Sequence, residues 1–357
     1  MNEKTGLRET TAAIIIFSLS PLVLYLTAGV CSSLNAGALI NFLINSACVF
    51  ILVRISVRYF ENFNSDIIKA TSLVFGNKIS KIVGIVYAVL IFLYTAFNSE
   101  LYAESISKLG FFSQSWYFIS VLPIVAAVIC AYSGIEGNTR TLYSIFFIVL
   151  IILFFCVLST YKSWDCENMF PIFGTSGKTT FFTFDSLAAY PGLTAVFLAG
   201  RNLGNNAKAA SCLKKSFSGV FLAGLVMIVI YLLSVPYPVN SNYTFSSEGY
   251  FSSTLSGEVF HRFEIFLVSL NIFLYISATS FGMLLCSSVI SRLAGNCDFR
   301  PFVLILGVMV FYSGFIKIKY EIYITFCVLM TLIAFLIPFA TFCVSKFKRK
   351  GSEPHGE

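Results

Sequence analysis

Residues 141–160 read TLYSIFFIVLIILFFCVLST, twenty residues without an Asp, Glu, Lys, Arg or His. At about 1.5 Å per residue a helix of that length crosses the roughly 30 Å hydrocarbon core of a bilayer. Nine further segments are comparably long and apolar: 11–30, 36–53, 82–99, 116–132, 182–200, 217–235, 265–290, 301–316 and 322–345. Only helices and closed barrels satisfy their backbone in lipid, and these runs have helical length. The chain is 57% hydrophobic and 11% charged, with a mean hydropathy of +0.84; soluble domains carry about a quarter charged residues. The expected class is an all-α membrane protein with ten transmembrane helices.

Ten crossings put both termini on one side. Of the 24 Lys and Arg residues, 18 fall on that side and 6 on the other. The positive-inside rule then places both termini in the cytoplasm, in a multi-pass membrane protein. The net charge of +7 is read through this topology rather than as a nucleic-acid signal. The N-terminal MNEKTGLRETTAAIIIF lacks a small-residue cleavage site and reads as mature chain. Ten cysteines form no C-x-x-C pair, and two histidines, His261 and His355, are too few for a zinc cluster. The Asn242-Tyr243-Thr244 triplet faces outward in this topology. Phosphate-loop and nucleophile-elbow motifs are missing from the sequence. No catalytic residue, metal centre or cofactor is expected, and enzyme activity is not.

Ten spans divide five plus five into a first repeat at about 11–160 and a second at about 182–345, followed by a basic tail at 346–357, all one transmembrane domain. An odd number per half inverts one half relative to the other, so span six is the counterpart of span one. Span six carries Asp185 and the breaker Tyr190-Pro191-Gly192; span one carries Ser18, Ser20 and Pro21 at its middle. A matched pair of interrupted spans points to a transporter-type site at the midplane. There, half-helix ends offer N–H groups to a carboxylate and carbonyls to an amine or cation. A lone proline in a membrane helix, such as Pro123, more often makes a simple kink.

The candidate ligand residues are therefore Ser18, Ser20, Pro21, Tyr190 and Gly192. Two mid-span pairs join them, Tyr94 with Asn98 and Asn271 with Tyr275. Spacing of four sets each pair on one helix face, although helix–helix hydrogen bonding is the commoner use of such residues. Glu100, Asp185 and Glu264, with Glu104, lie toward the outer ends of their spans and form a candidate outer vestibule. Ser277, Thr279 and Ser280 could serve a Na⁺ ion. Span five has no Lys, Asp, Glu or His to carry a proton.

Several stretches resemble the spore germination permeases, the B subunits of endospore germinant receptors. They are FNSDIIKATSLVFGNKISKIVGIVYAVLIFLYTAFNSELYAESI (63–106), YSGIEGNTRTLYSIFFI (132–148), ENMFPIFGTSGKTTFF (167–182) and HRFEIFLVSLNIF (261–273). The most specific parts are Gly134-Ile135-Glu136 with Arg140, and Asn168-Met169-Phe170-Pro171. That family belongs with the amino acid–polyamine–organocation transporters. The resemblance implies a LeuT-like five-plus-five inverted repeat with broken helices one and six. It also implies a place in the spore inner membrane, a small nutrient such as an amino acid as ligand, and A-type and C-type subunits as partners besides membrane lipid.

Three functions follow as expectations. The first is a nutrient-sensing receptor subunit, in which ligand shifts a conformational equilibrium. The second is an amino-acid secondary transporter coupled to Na⁺ or H⁺. The third is an interaction scaffold without a ligand.

Overall fold

The computed structural model of the chain describes residues 5–63, 66–108, 116–170, 183–236, 239, 243, 245–246, 249–250, 264–295 and 297–350. These residues form helices and turns, with no strand among them. In chain order the α-helices are α1 (Leu7–Pro21), α2 (Thr27–Leu34), α3 (Gly37–Asn62), α4 (Ile67–Phe75), α5 (Asn77–Lys108), α6 (Trp116–Tyr132) and α7 (Gly134–Thr160). After them come α8 (Ala195–Ala199), α9 (Asn206–Ser234), α10 (Glu264–Leu293), α11 (Arg300–Ser313) and α12 (Tyr320–Lys350).

Among the described residues, six helices are long and apolar enough to cross a membrane: Gly37–Asn62, Asn77–Lys108, Gly134–Ser163, Asn206–Ser234, Ile265–Leu293 and Tyr320–Lys346. Ser120–Tyr132 and Arg300–Ser313 are shorter apolar helices. The two remaining expected spans, 11–30 and 182–200, are not single long helices, because each is interrupted in its middle. The chain is an integral membrane protein. Its α7 turns Ile151 and Phe154 outward, as the charge-free run at 141–160 requires of a helix facing lipid tails.

The stretch 54–81, between the second and third expected spans, is mostly helical. α3 continues to Asn62, and α4 follows with Ile67, Ala70, Thr71 and Val74 buried along one face. Asp66 starts α4 by accepting from the Ile68 N–H at 3.1 Å, a side-chain N-cap. Its other carboxylate oxygen meets Arg292 at 3.4 Å near the C-terminus of α10, where the helix dipole favours a cation. One aspartate thus ties the α3–α5 connection to α10. Gly134 opens α7 at φ +85°, a left-handed conformation that glycine adopts without steric cost.

α10 lies at the centre, packed on α1, α5, α6, α7 and α11. α1 also lies along α9, where Gly219 allows close approach: a Cβ there would sit 2.6 Å from Ile15. The C-terminus of α9 is closed from outside the helix, with Leu233 O accepting from Asp165 N at 3.1 Å and Asn168 Nδ2 at 2.8 Å. Asn168, singled out in the sequence, therefore has a structural use. Asn242 and Thr244 of the outward triplet, both histidines and most of the polar stretch 236–264 lie outside the described residues.

Replacing Asp66 by Ala removes a helix cap and leaves Arg292 without its carboxylate. The expected loss is about 1–3 kcal/mol, read as a lowered melting temperature of the purified chain. Once Asp66 is gone, R292A should cost less than it does alone.

Candidate functional site at the two helix interruptions

α1 is interrupted through proline chemistry. Pro21 has no N–H, and its ring crowds the carbonyl four residues back. The helix answers by widening into a π turn over Leu22–Leu26 before α2 resumes. The expectation of an unwound midpoint in span one is thus corrected: Pro21, Leu22, Leu26 and Thr27 all keep right-handed helical angles. The carbonyl that loses its proline donor is that of Phe17. The Tyr94 hydroxyl donates to it at 3.1 Å, and the two rings meet edge to face at 5.0 Å. Further on, Thr27 Oγ1 donates to Leu22 O at 2.8 Å, and Ser246 Oγ accepts from Ala28 N at 3.1 Å.

The second interruption is deeper. Asp185–Ala189 and Pro191–Thr194 are tight 3₁₀ turns, separated by Tyr190 at φ −110°, ψ 1°. Only the five residues of α8 follow in α-helical form before another tight turn at Gly200–Leu203. This whole stretch from Ser186 to Gly200 is buried in protein, the condition under which irregular backbone persists at membrane depth.

The two interruptions touch. A Cβ on Gly192 would lie 2.9 Å from both the Cα and the backbone N of Ser18, so only glycine lets the broken stretch rest on α1 here. Ser18 Oγ turns back to Ile14 O at 2.9 Å. Ser20 Oγ and Thr194 Oγ1, one from each interrupted segment, are buried with no hydrogen-bond partner among the described residues.

The remaining predicted residues divide. Tyr190 is fully buried, its ring stacked on Phe42 and Phe217 and its hydroxyl 2.6 Å from Ser46 Oγ, which itself donates to Phe42 O. Asn98 Nδ2 donates to Tyr94 O at 2.8 Å, and Tyr323 donates to Asn98 Oδ1 at 3.2 Å. Tyr275 stacks on Tyr102 at 4.1 Å and bonds Ser99 Oγ at 2.6 Å, in a small cluster apart from the main core. Asn271 lines a cavity of about 20 Å³ with Val23, Cys156, Met227 and Tyr250, and its amide nitrogen has no partner among the described residues. That void has room for about one water. Ser277 and Ser280 spend their hydroxyls on Phe273 O and Ser277 O of their own helix, and Thr279 is buried beside them. Glu100 is buried rather than facing an open vestibule, Asp185 is half-buried, and the side chain of Glu264 lies outside the described residues.

Several polar residues escaped the sequence reading, Thr194 among them, and most gather at the entry of the broken stretch. Asn41 and Asn45 of α3 donate to Thr183 O at 2.9 and 2.8 Å, and Ser186 Oγ donates to Asn41 Oδ1 at 2.7 Å. With Ser46 on Tyr190, they fasten the entry of the broken stretch to α3. The signal was present: Asn41 and Asn45 have the same spacing of four as the pairs selected on spans three and eight.

Residues 6–317 match the family described as spore germination protein. The chain belongs to the spore germination protein family. The match takes in both interruptions and every helix from α1 to α11, and ends before α12. A search of curated proteins found no match. Membership agrees with a permease-type membrane protein. In this germination protein Glu136 pairs with Arg140 at 2.7 Å, while Arg140 reaches Glu9 at 3.9 Å.

Tyr94→Phe should lower the melting temperature by leaving Phe17 O without its donor, a loss of about 1–3 kcal/mol. In a P21A background, which returns a backbone N–H to that turn, the same substitution should cost less. Equal costs in both backgrounds would contradict the substitution of one donor for the other.

Proposed function

We propose that this germination protein is the nutrient-sensing membrane subunit of a germinant receptor, with a small zwitterion, an amino acid, as its ligand. The ligand docks where Gly192 rests on Ser18, the observation that carries the reading. On this reading the chain crosses the membrane ten times in two inverted halves, with both termini cytoplasmic, and the interrupted spans are the first of each half. A-type and C-type receptor subunits read its conformation.

The support is chemical. The π turn after Pro21 and the short turns around Tyr190 disturb the helical pairing of backbone groups close to each other, the arrangement that accommodates a carboxylate and an amine together. Ser20, Thr194 and Asn271 bring buried polar atoms with unused hydrogen-bonding capacity from three segments around the interruptions. The packing between the breaks is closed, and the neighbouring 20 Å³ void is too small for an amino acid. Ligand entry therefore requires the broken stretch and α1 to part. Binding that favours the parted arrangement shifts the conformational balance, which is what a receptor subunit must transmit.

A panel of amino acids should contain at least one that raises the melting temperature of the purified chain. Ligand at a hundredfold excess over its Kd contributes about 2.7 kcal/mol. Ser20→Ala and Thr194→Val should leave the ligand-free protein at least as stable as before, because each removes an unpartnered buried group, yet diminish the ligand response. Gradient-driven accumulation of the same amino acid in vesicles would favour the secondary transporter over the receptor.

A further inference from the structure

Away from the interruptions, α6 and α11 lie side by side and leave a groove of about 460 Å³ between them. The end of α6 meets the start of α11, where the Arg300 guanidinium lies 5.4 Å from the centre of the Tyr132 ring. The two helices are thus antiparallel. Val121, Val125 and Ile129 form one wall of the groove, and Leu304, Val308 and Tyr312 the other. Each set is spaced by four, so each is a single ridge along its helix. All six side chains are exposed on the surface of the chain. At the floor, Gly307 brings the helices together, and a Cβ there would lie 2.5 Å from Val128.

The chemistry of the groove selects its occupant. A partner helix packs in a membrane through small residues that admit its backbone and through polar side chains that bond it. The two ridges offer neither: their residues are bulky, and Tyr312 has the lone polar atom. The single glycine is already used between α6 and α11. A flexible hydrocarbon chain needs no close backbone approach and fills the space between branched side chains by dispersion contact.

The groove also has a charged end. Asp298 accepts from the Arg300 backbone N–H at 3.2 Å. The Arg300 guanidinium itself is exposed and forms no ion pair among the described residues. A guanidinium presents planar paired donors suited to phosphate. We propose that the groove between α6 and α11 is a binding site for an anionic phospholipid, one acyl chain lying between the ridges and the phosphate at Arg300.

The test uses the full chain, delipidated in detergent and titrated with phosphatidylglycerol or phosphatidylcholine of identical acyl chains. Native mass spectrometry counts the retained lipid. The wild type should retain phosphatidylglycerol preferentially. Arg300→Gln should reduce that preference by about fivefold, the effect of one basic side chain at the headgroup level. Val308→Trp, filling the groove from an exposed position, should reduce retention of both lipids. Leu122→Trp, exposed on α6 but outside the groove lining, should leave both unchanged. Equal retention of the two lipids by the wild type would overturn the proposal. So would unchanged retention in Val308→Trp, or displacement of the lipid by another membrane protein copurifying on this face.

Discussion

A helix interrupted inside a bilayer releases carbonyls and N–H groups that lipid cannot satisfy, and each must be answered by protein. Much of this structure is a set of such answers. Pro21 releases Phe17 O, and Tyr94 on α5 takes it. The entry of the broken stretch exposes Thr183 O, and Asn41 and Asn45 on α3 take that. The end of α9 leaves Leu233 O, which Asp165 and Asn168 cover. Each polar side chain is placed by a helix whose other faces are apolar, so answering the carbonyl also fixes where that helix sits. α3 and α5 are held to the interruptions by hydrogen bonds as well as by packing.

These relations decide how much was legible in the sequence. The apolar runs located the long helices, because in lipid the hydropathy and length requirements act together. The breakers at Ser20-Pro21 and Tyr190-Pro191-Gly192 marked both interruptions correctly. Their form was not legible. Proline removes one donor but permits helical angles, so span one widens into a π turn, whereas the Tyr190 stretch abandons the α-helix for tight turns. Nor was the use of Tyr94 legible, since its hydroxyl could equally have faced a ligand; only the position of Phe17 O decides. Asn41 and Asn45 were overlooked although they share the spacing that drew attention to Tyr94 and Asn98. The amphipathic α4 was hidden because its nine residues are too few to cross a bilayer, although its buried face is regular.

In the proposed reading, the contact between Gly192 and Ser18 is where the site opens. Glycine allows the broken stretch to lie flat on α1 without a side chain as spacer, so the closed arrangement is well packed. Few hydrogen bonds cross that particular contact, since Ser18 bonds back into its own helix. The strong bonds run instead from the broken stretch to α3, through Asn41, Asn45 and Ser46. In the proposed reading, the stretch and α3 part from α1 as one body, because separation there breaks packing contacts rather than a hydrogen-bond network. Packed elements of this kind switch between discrete arrangements rather than deforming continuously.

On the proposed reading, Ser20, Thr194 and Asn271 give a ligand its hold on that switch. A buried polar atom with no partner costs about 1–3 kcal/mol relative to one that is satisfied. The closed arrangement carries this cost at three positions around the interruptions. A zwitterion bonded by any of them recovers part of it and so binds the parted arrangement more tightly than the closed one, the differential affinity that a population shift demands. An apolar replacement at these positions would give a more comfortable core and a poorer sensor. On the proposed reading, these unmet hydrogen bonds are a preference for a partner that the closed arrangement does not itself supply.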